Sequence, residues 1–138
     1  MLGVHMTGKR LGIYGMGRIG QAVAKRARAF DMKIHYHNRS RLEPALEQGA
    51  IFYAKPEDML PYCDFLSLNA PSSSATNGFL NAERIARLPD GAIVVNTARG
   101  PLVDDEALIA ALKSGKLAAA GLDVYTGEPN INPGYRPI

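Results

Sequence analysis

Two hydrophobic patterns alternate along the chain. Short apolar runs recur at residues 10–14, 33–37, 50–53, 64–69, 92–96 and 117–124, and they read as strands. Between them lie amphipathic stretches that read as helices, at 21–30, 42–49, 56–60, 82–88 and 105–113. In the first helix Ile19, Val23, Ala24, Ala27 and Phe30 fall at helical spacing, with Arg18, Lys25, Arg26 and Arg28 among the intervening positions. Pro44 breaks the second helix and Gly49 stops it, whereas Pro56 suits the first turn of the third. Asn81 and Asp104 stand where side-chain caps belong, and Gly115 ends the last helix. The run Ala-Ile-Val-Val-Asn at 92–96 is near-continuously apolar, as a central parallel strand should be.

Strand and helix alternating in this way predict an α/β fold of three layers, a doubly wound parallel sheet with helices on both faces. Ligands bind such sheets at the carboxyl ends of the strands. Five glycine-rich or polar clusters follow strands and so share one rim: the turn after residue 14, then 38–41, 70–71, 97–99 and 123–128. There is no repeat, linker or low-complexity segment, and the length suits a single domain spanning 1–138.

The turn after the first strand is Gly15-Met16-Gly17-Arg18-Ile19-Gly20. This G-x-G-x-x-G sits between a strand and a helix, the context in which it binds a dinucleotide. Gly15 permits the sharp turn, Gly17 leaves room for a pyrophosphate, and Gly20 lets helix and strand pack closely. The N–H groups of Arg18 and Ile19 then face the phosphates at the positive end of the helix dipole. Glycine is common here, with 14 residues, so the motif alone is weak evidence against a ligand-free turn. The second strand ends in Asn38-Arg39-Ser40-Arg41, with no carboxylate. An acidic residue at this tip binds the 2′-hydroxyl of NAD, and an arginine accommodates the 2′-phosphate of NADP. The expected cofactor is therefore NADP, with NAD as the alternative, unless these arginines form only a solvated loop. His35 and His37 share one face of this strand and read as structural.

Composition narrows the partners. Net charge is +3, with no basic run and no interleaved aromatic platform, which argues against nucleic acid. No stretch approaches membrane-spanning length and no signal-peptide core is present, so a cytoplasmic location is expected. The single cysteine, Cys63, rules out an internal disulfide and reads as a buried small hydrophobe.

Three blocks together carry a resemblance: 15–20, Val95-Asn96-Thr97-Ala98-Arg99-Gly100, and Gly121-Leu122-Asp123-Val124 through Glu128-Pro129. The chain resembles the cofactor-binding, Rossmann-type domain of the D-isomer-specific 2-hydroxyacid dehydrogenases, and the tip at 38–40 is similar to the NADP-preferring glyoxylate and hydroxypyruvate reductase branch. The resemblance implies reduction of a 2-oxo acid by hydride from a nicotinamide. It implies that Arg99 grips the substrate carboxylate and polarises its carbonyl. Glu128 would pair with the catalytic histidine and raise its pKa, and Asp123 would contact the nicotinamide end. Ala70, Pro71, Thr76, Thr97 and Ala98 match positions that line the cofactor. The family dimerises through this domain, so a homodimer is expected.

The departures are equally informative. No histidine follows His37, and nothing corresponds to the family's substrate domain. The chain thus reads as an isolated cofactor domain, truncated at its C-terminal end, without the last strand and helix of the family's sheet and inactive alone. Loss of the acid/base would by itself cost about a hundredfold or more in rate. A cofactor-sensing interaction module, as in corepressor relatives, is the alternative. A short-chain dehydrogenase is disfavoured, because none of the tyrosines has a lysine four residues on.

Overall fold

The computed structural model describes residues 8–70, 76–96 and 102–122. Six strands, β1 (Arg10–Tyr14), β2 (Lys33–His37), β3 (Ile51–Phe52), β4 (Phe65–Leu68), β5 (Ala92–Asn96) and β6 (Leu117–Leu122), form one sheet in the order β3-β2-β1-β4-β5-β6. Every neighbouring pair is parallel. The helices are α1 (Arg18–Arg28), α2 (Pro44–Glu47), α3 (Pro56–Met59), α4 (Ala82–Arg87) and α5 (Asp105–Ser114), with a 3-10 turn over Leu60–Tyr62. This is the doubly wound α/β fold that the alternation predicts. None of the described helices is long and apolar enough to cross a membrane.

Local chemistry explains the boundaries. Asn81 caps α4 by accepting from the Arg84 N–H at 2.9 Å, and Asp104 caps α5 by accepting from the Ala107 N–H at 3.3 Å. Gly115 closes α5 in the left-handed region at φ 85°. Two expectations need correction. Pro44 opens α2 rather than breaking it, because a proline at the first helical position loses no hydrogen bond. Helix α1 starts at Arg18, directly after the glycine turn, and stops at Arg28. Ile19 and Phe30 are therefore not on its buried face; they are 65% and 54% exposed, and Val23, Ala24 and Ala27 face the sheet.

The sheet separates two apolar clusters. Leu11, Ile13, Ile34 and Tyr36 pack against α1 on one face. Leu66, Leu68, Ala92 and Val94 pack against α4 and α5 on the other. Coverage is uneven along β5: Ala92, Val94 and Asn96 are buried, but Ile93 and Val95 are only half-buried. Beside them an apolar groove of about 280 Å³ runs along α1, lined among others by Val23, Phe30, Phe65 and Val95.

Cys63 is fully buried, as its isolation in the sequence predicts, and burial pushes its thiol up to about 12. Its Sγ lies over Gly12 in the middle of β1, where a Cβ would enter the sulfur's van der Waals shell. A glycine in a strand interior thus marks a site of close packing. Gly12→Ala is expected to destabilise the chain by about 1–3 kcal/mol through overpacking. Adding Cys63→Ala should restore part of that loss, and thermal melts of the two single variants and the double variant measure the coupling.

Candidate functional site

The chain runs outward from β1 to β2 and β3, then crosses to β4 on the other side, so the strand order reverses between β1 and β4. A crevice at the carboxyl ends of the strands forms at such a point. The ladder continues right up to it: the Gly15 N–H donates to the His37 carbonyl at 2.9 Å and the Asn69 N–H to the Tyr14 carbonyl at 2.8 Å.

The three motif glycines meet different demands. Gly15 has φ 98°, and a Cβ on it would lie 2.5 Å from the Ala70 nitrogen and 2.6 Å from its Cα. The turn after β1 and the turn after β4 therefore touch through backbone alone. A Cβ on Gly20 would strike the Gly15 carbonyl oxygen, which seats the first turn of α1 on the glycine turn. Gly17 differs, since a Cβ there meets nothing within 4 Å. It is exposed, and it caps α1 with no side-chain hydrogen bond.

The start of α1 is built for an anion. The first bond from the cap is Gln21 N–H to the Gly17 carbonyl at 2.8 Å, so the N–H groups of Arg18, Ile19 and Gly20 precede it. The first turn holds no acidic residue, whereas those of α3, α4 and α5 all do. Free N–H groups, the positive end of the dipole and open space over Gly17 fit the pyrophosphate of a dinucleotide.

At the tip of β2, Asn38 ties two turns together. Its Oδ1 accepts from the Met16 N–H at 3.2 Å, and its Nδ2 donates to the Ser40 carbonyl at 3.3 Å. Arg39 and Ser40 are exposed. Arg41 is engaged elsewhere: its Nε and NH2 donate to the Glu47 carboxylate at 2.9 and 3.3 Å, and its guanidinium lies 5.9 Å from the Phe52 ring centre. Of the two arginines expected to face a phosphate, Arg39 makes no side-chain bond among the described residues, whereas Arg41 is held by Glu47. The reason is a carboxylate six residues downstream, folded back by the single turn of α2.

Thr76 reaches the same rim through Phe79, whose N–H donates to the Thr76 carbonyl at 3.1 Å. The Phe79 ring stacks on Tyr14, the last residue of β1, and Tyr14 also stacks on His37. His35 is buried, with its Nδ1 2.8 Å from the Tyr53 hydroxyl, and burial holds its pKa below the usual value. The His37 Nδ1 lies 2.9 Å from the Tyr53 carbonyl. Both histidines thus serve packing at the β2 end. Pro71, Thr97, Ala98, Arg99, Asp123 and Glu128 lie outside the described residues. Residues that the sequence reading missed are Glu47 and the Tyr14–Phe79 pair; neither falls in a motif, and only the fold brings them to the rim.

The match to known proteins is extensive. Residues 1–135 match the family model described as D-isomer specific 2-hydroxyacid dehydrogenase, NAD binding domain. The chain is 52% identical over 137 residues to a glycerate dehydrogenase of Hyphomicrobium methylovorum, covering 98% of this chain and 42% of that protein. It is 50% identical over 133 residues to 4-methyl-2-oxopentanoate reductase A of Aspergillus oryzae, covering 96% of this chain and 40% of that one. A glyoxylate reductase structure from Paecilomyes thermophila superposes with a TM-score of 0.91 at 48% identity, covering 97% of this chain and 40% of the other. The chain therefore spans about two fifths of the length of these relatives. It belongs to the D-isomer specific 2-hydroxyacid dehydrogenase family, as the NAD-binding domain that carries a nicotinamide dinucleotide.

Proposed function

We propose that this chain is the cofactor domain of an NADPH-dependent reductase of small 2-oxo acids, with glyoxylate or hydroxypyruvate as substrate. The observation that carries the cofactor choice is the tip of β2, where an amide and an exposed arginine stand, no residue of 38–41 is acidic, and the nearby Glu47 carboxylate is already paired with Arg41. An acidic side chain there would repel a 2′-phosphate, whereas a guanidinium forms charge-assisted bonds to it. The substrate class is supported by relatives named for glycerate and glyoxylate.

In this reading the bound nicotinamide supplies the hydride that turns the carbonyl carbon into that of a 2-hydroxy acid. The residues of this chain bind and orient. Gly15, Gly17, Arg18, Ile19 and Gly20 hold the pyrophosphate, and Asn38, Arg39 and Ser40 the adenosine end. Ala70, Pro71, Thr76, Thr97, Ala98 and Asp123 line the path toward the nicotinamide. Arg99 holds the substrate carboxylate and draws electron density from the carbonyl oxygen. Glu128 supports the imidazolium that protonates that oxygen. No histidine follows His37 in this chain, so that acid comes from outside it, and the chain alone binds cofactor without turnover. We place the enzyme in the cytoplasm as a homodimer.

Three measurements test this reading. Calorimetric titration of the chain should give tighter binding for NADPH than for NADH by about tenfold or more, the equivalent of one charge-assisted hydrogen bond. NADH binding as tightly as NADPH would overturn the phosphate assignment. Gly17→Val should weaken both cofactors by about tenfold or more, with a stability loss of only about 1 kcal/mol from the poorer helix cap, because its side chain fills the approach space. Unchanged affinity would remove the pyrophosphate from this turn. Mixed with glyoxylate or hydroxypyruvate, the chain should oxidise NADPH no faster than buffer does; rapid oxidation would mean that the site is complete as it stands.

A further inference from the structure

We propose that Glu47 withdraws Arg41 from the cofactor, so that discrimination of the 2′-phosphate falls to Arg39 with Ser40 while Arg41 acts only as a positioning residue. This rests on the reading that the β2 tip receives NADP(H).

Glu47 is a buried acidic residue, with a side chain only 6% exposed. Two residues satisfy its carboxylate. Arg41 donates through two nitrogens, the Tyr36 hydroxyl donates to the same Oε2, and Tyr36 itself is fully buried in the core beneath α1. The Tyr36 oxygen in turn accepts the Leu42 N–H at 3.0 Å, and Arg28 at the end of α1 donates to the Glu47 carbonyl at 2.6 Å. The bonds from Arg41, then from Tyr36, hold the Glu47 carboxyl below the usual carboxylate range, so the group is charged at neutral pH. Swinging Arg41 out to a phosphate would strand that charge on a tyrosine alone. An uncompensated buried carboxylate is costly, and a solvated phosphate offers Arg41 no better partner than the one it has.

The consequence for the loop is geometric. Asn38 pins it at one end to the glycine turn, and Arg41 and Leu42 pin it at the other to Glu47 and Tyr36. Between these pins Arg39 and Ser40 present exposed side chains; the Arg41 side chain is also 65% exposed, but both of its donating nitrogens are turned to Glu47. Among the described residues the Arg39 side chain makes no hydrogen bond or ion pair, and Ser40 contributes its carbonyl to Asn38, which leaves its hydroxyl available. A short, doubly anchored loop with one guanidinium and one hydroxyl at its crest is a preorganised anion site.

The test compares affinities for NADPH and NADH in the whole chain, in Arg39→Gln and in Arg41→Gln, together with melting temperatures. Arg39→Gln should lower the NADPH-to-NADH affinity ratio by about tenfold to a hundredfold and leave the melting temperature unchanged. Arg41→Gln should lower the melting temperature and keep the NADPH-to-NADH ratio of the parent. A ratio lost in Arg41→Gln, or kept in Arg39→Gln, overturns the assignment. Absence of any NADPH preference in the parent chain is a different result, since it removes the cofactor reading itself. Should Arg41→Gln not fold, the guanidinium resonances of the parent decide: saturation with NADPH in place of NADH should shift the Nε–H signal of Arg39 and leave that of Arg41 in place, and the reverse overturns the proposal.

Discussion

At one point in this molecule two backbones come so close that no side chain fits between them. Gly15 lies against the nitrogen and Cα of Ala70, and the rest of the rim is arranged from that contact. Because the touching segments follow β1 and β4, the contact sits where the winding of the sheet reverses. It fixes the direction in which the chain leaves β1, in a backbone conformation open to glycine and strained for other residues. Gly20 then rests on the Gly15 carbonyl, which sets the start of α1. The unsatisfied end of the helix thereby stands at the carboxyl end of β1, and the space a Gly17 side chain would take is clear. A larger residue at position 15 would part the two turns and rotate the helix away from the rim.

The charges are distributed to the same effect. Arg10 grips Asp64 through Nε and NH2, each at 3.0 Å, and its own backbone N–H donates to the same carboxylate at 2.9 Å. That clamp joins the amino ends of β1 and β4, the edge opposite the candidate site. Arg84 meets Glu57 at 2.7 Å and packs 4.8 Å from the centre of the Phe79 ring, so it braces the aromatic stack behind Tyr14. Arg41 meets Glu47. These three cations meet carboxylates, Arg41 while still exposed, whereas Arg18 and Arg39 stand exposed beside the α1 terminus with no carboxylate partner among the described residues. The placement of these two cations beside the helix terminus therefore says more about the site than the net charge of +3 does.

Much of the scaffold was legible because it depends on local rules. Asn81, Asp104 and Gly115 announce helix ends through their own hydrogen bonds or backbone angles, and the glycine motif announces a turn between a strand and a helix. Pro44 was misread because a proline both breaks and begins helices, and only the neighbouring backbone decides which. The extent of α1 was misread because Ile19 and Phe30 continue its apolar spacing, although one lies at the open rim and the other beyond the helix end. Pairings across long separations left no trace in the pattern. Nothing in the sequence couples Gly12 to Cys63 or Tyr14 to Phe79, since those contacts exist only once β1 lies beside β4. β5 illustrates the converse limit: its apolar run correctly gave a strand of the sheet interior, yet Ile93 and Val95 are covered less than Ala92 and Val94. Apolarity records what a face is suited to meet, and the elements present decide what it does meet.

Asn38 shows why shape and charge cannot be assigned separately at this rim. Its amide accepts from the glycine turn and donates to the loop that follows β2, so both ends of the side chain are in use. A carboxylate could still accept the Met16 N–H, but it has no hydrogen to give the Ser40 carbonyl, and it would set a negative charge beside that oxygen. The loop would then lose one of its two pins, and the field at its crest would change sign. An aspartate here would therefore alter the position of Arg39 as well as repel an anion. At Arg39 the side chain makes no bond among the described residues, so there charge can change while shape is kept. The division of labour follows from which groups at the tip are already hydrogen-bonded within the fold: those that are hold the crest in place, and those that are not remain to meet a ligand.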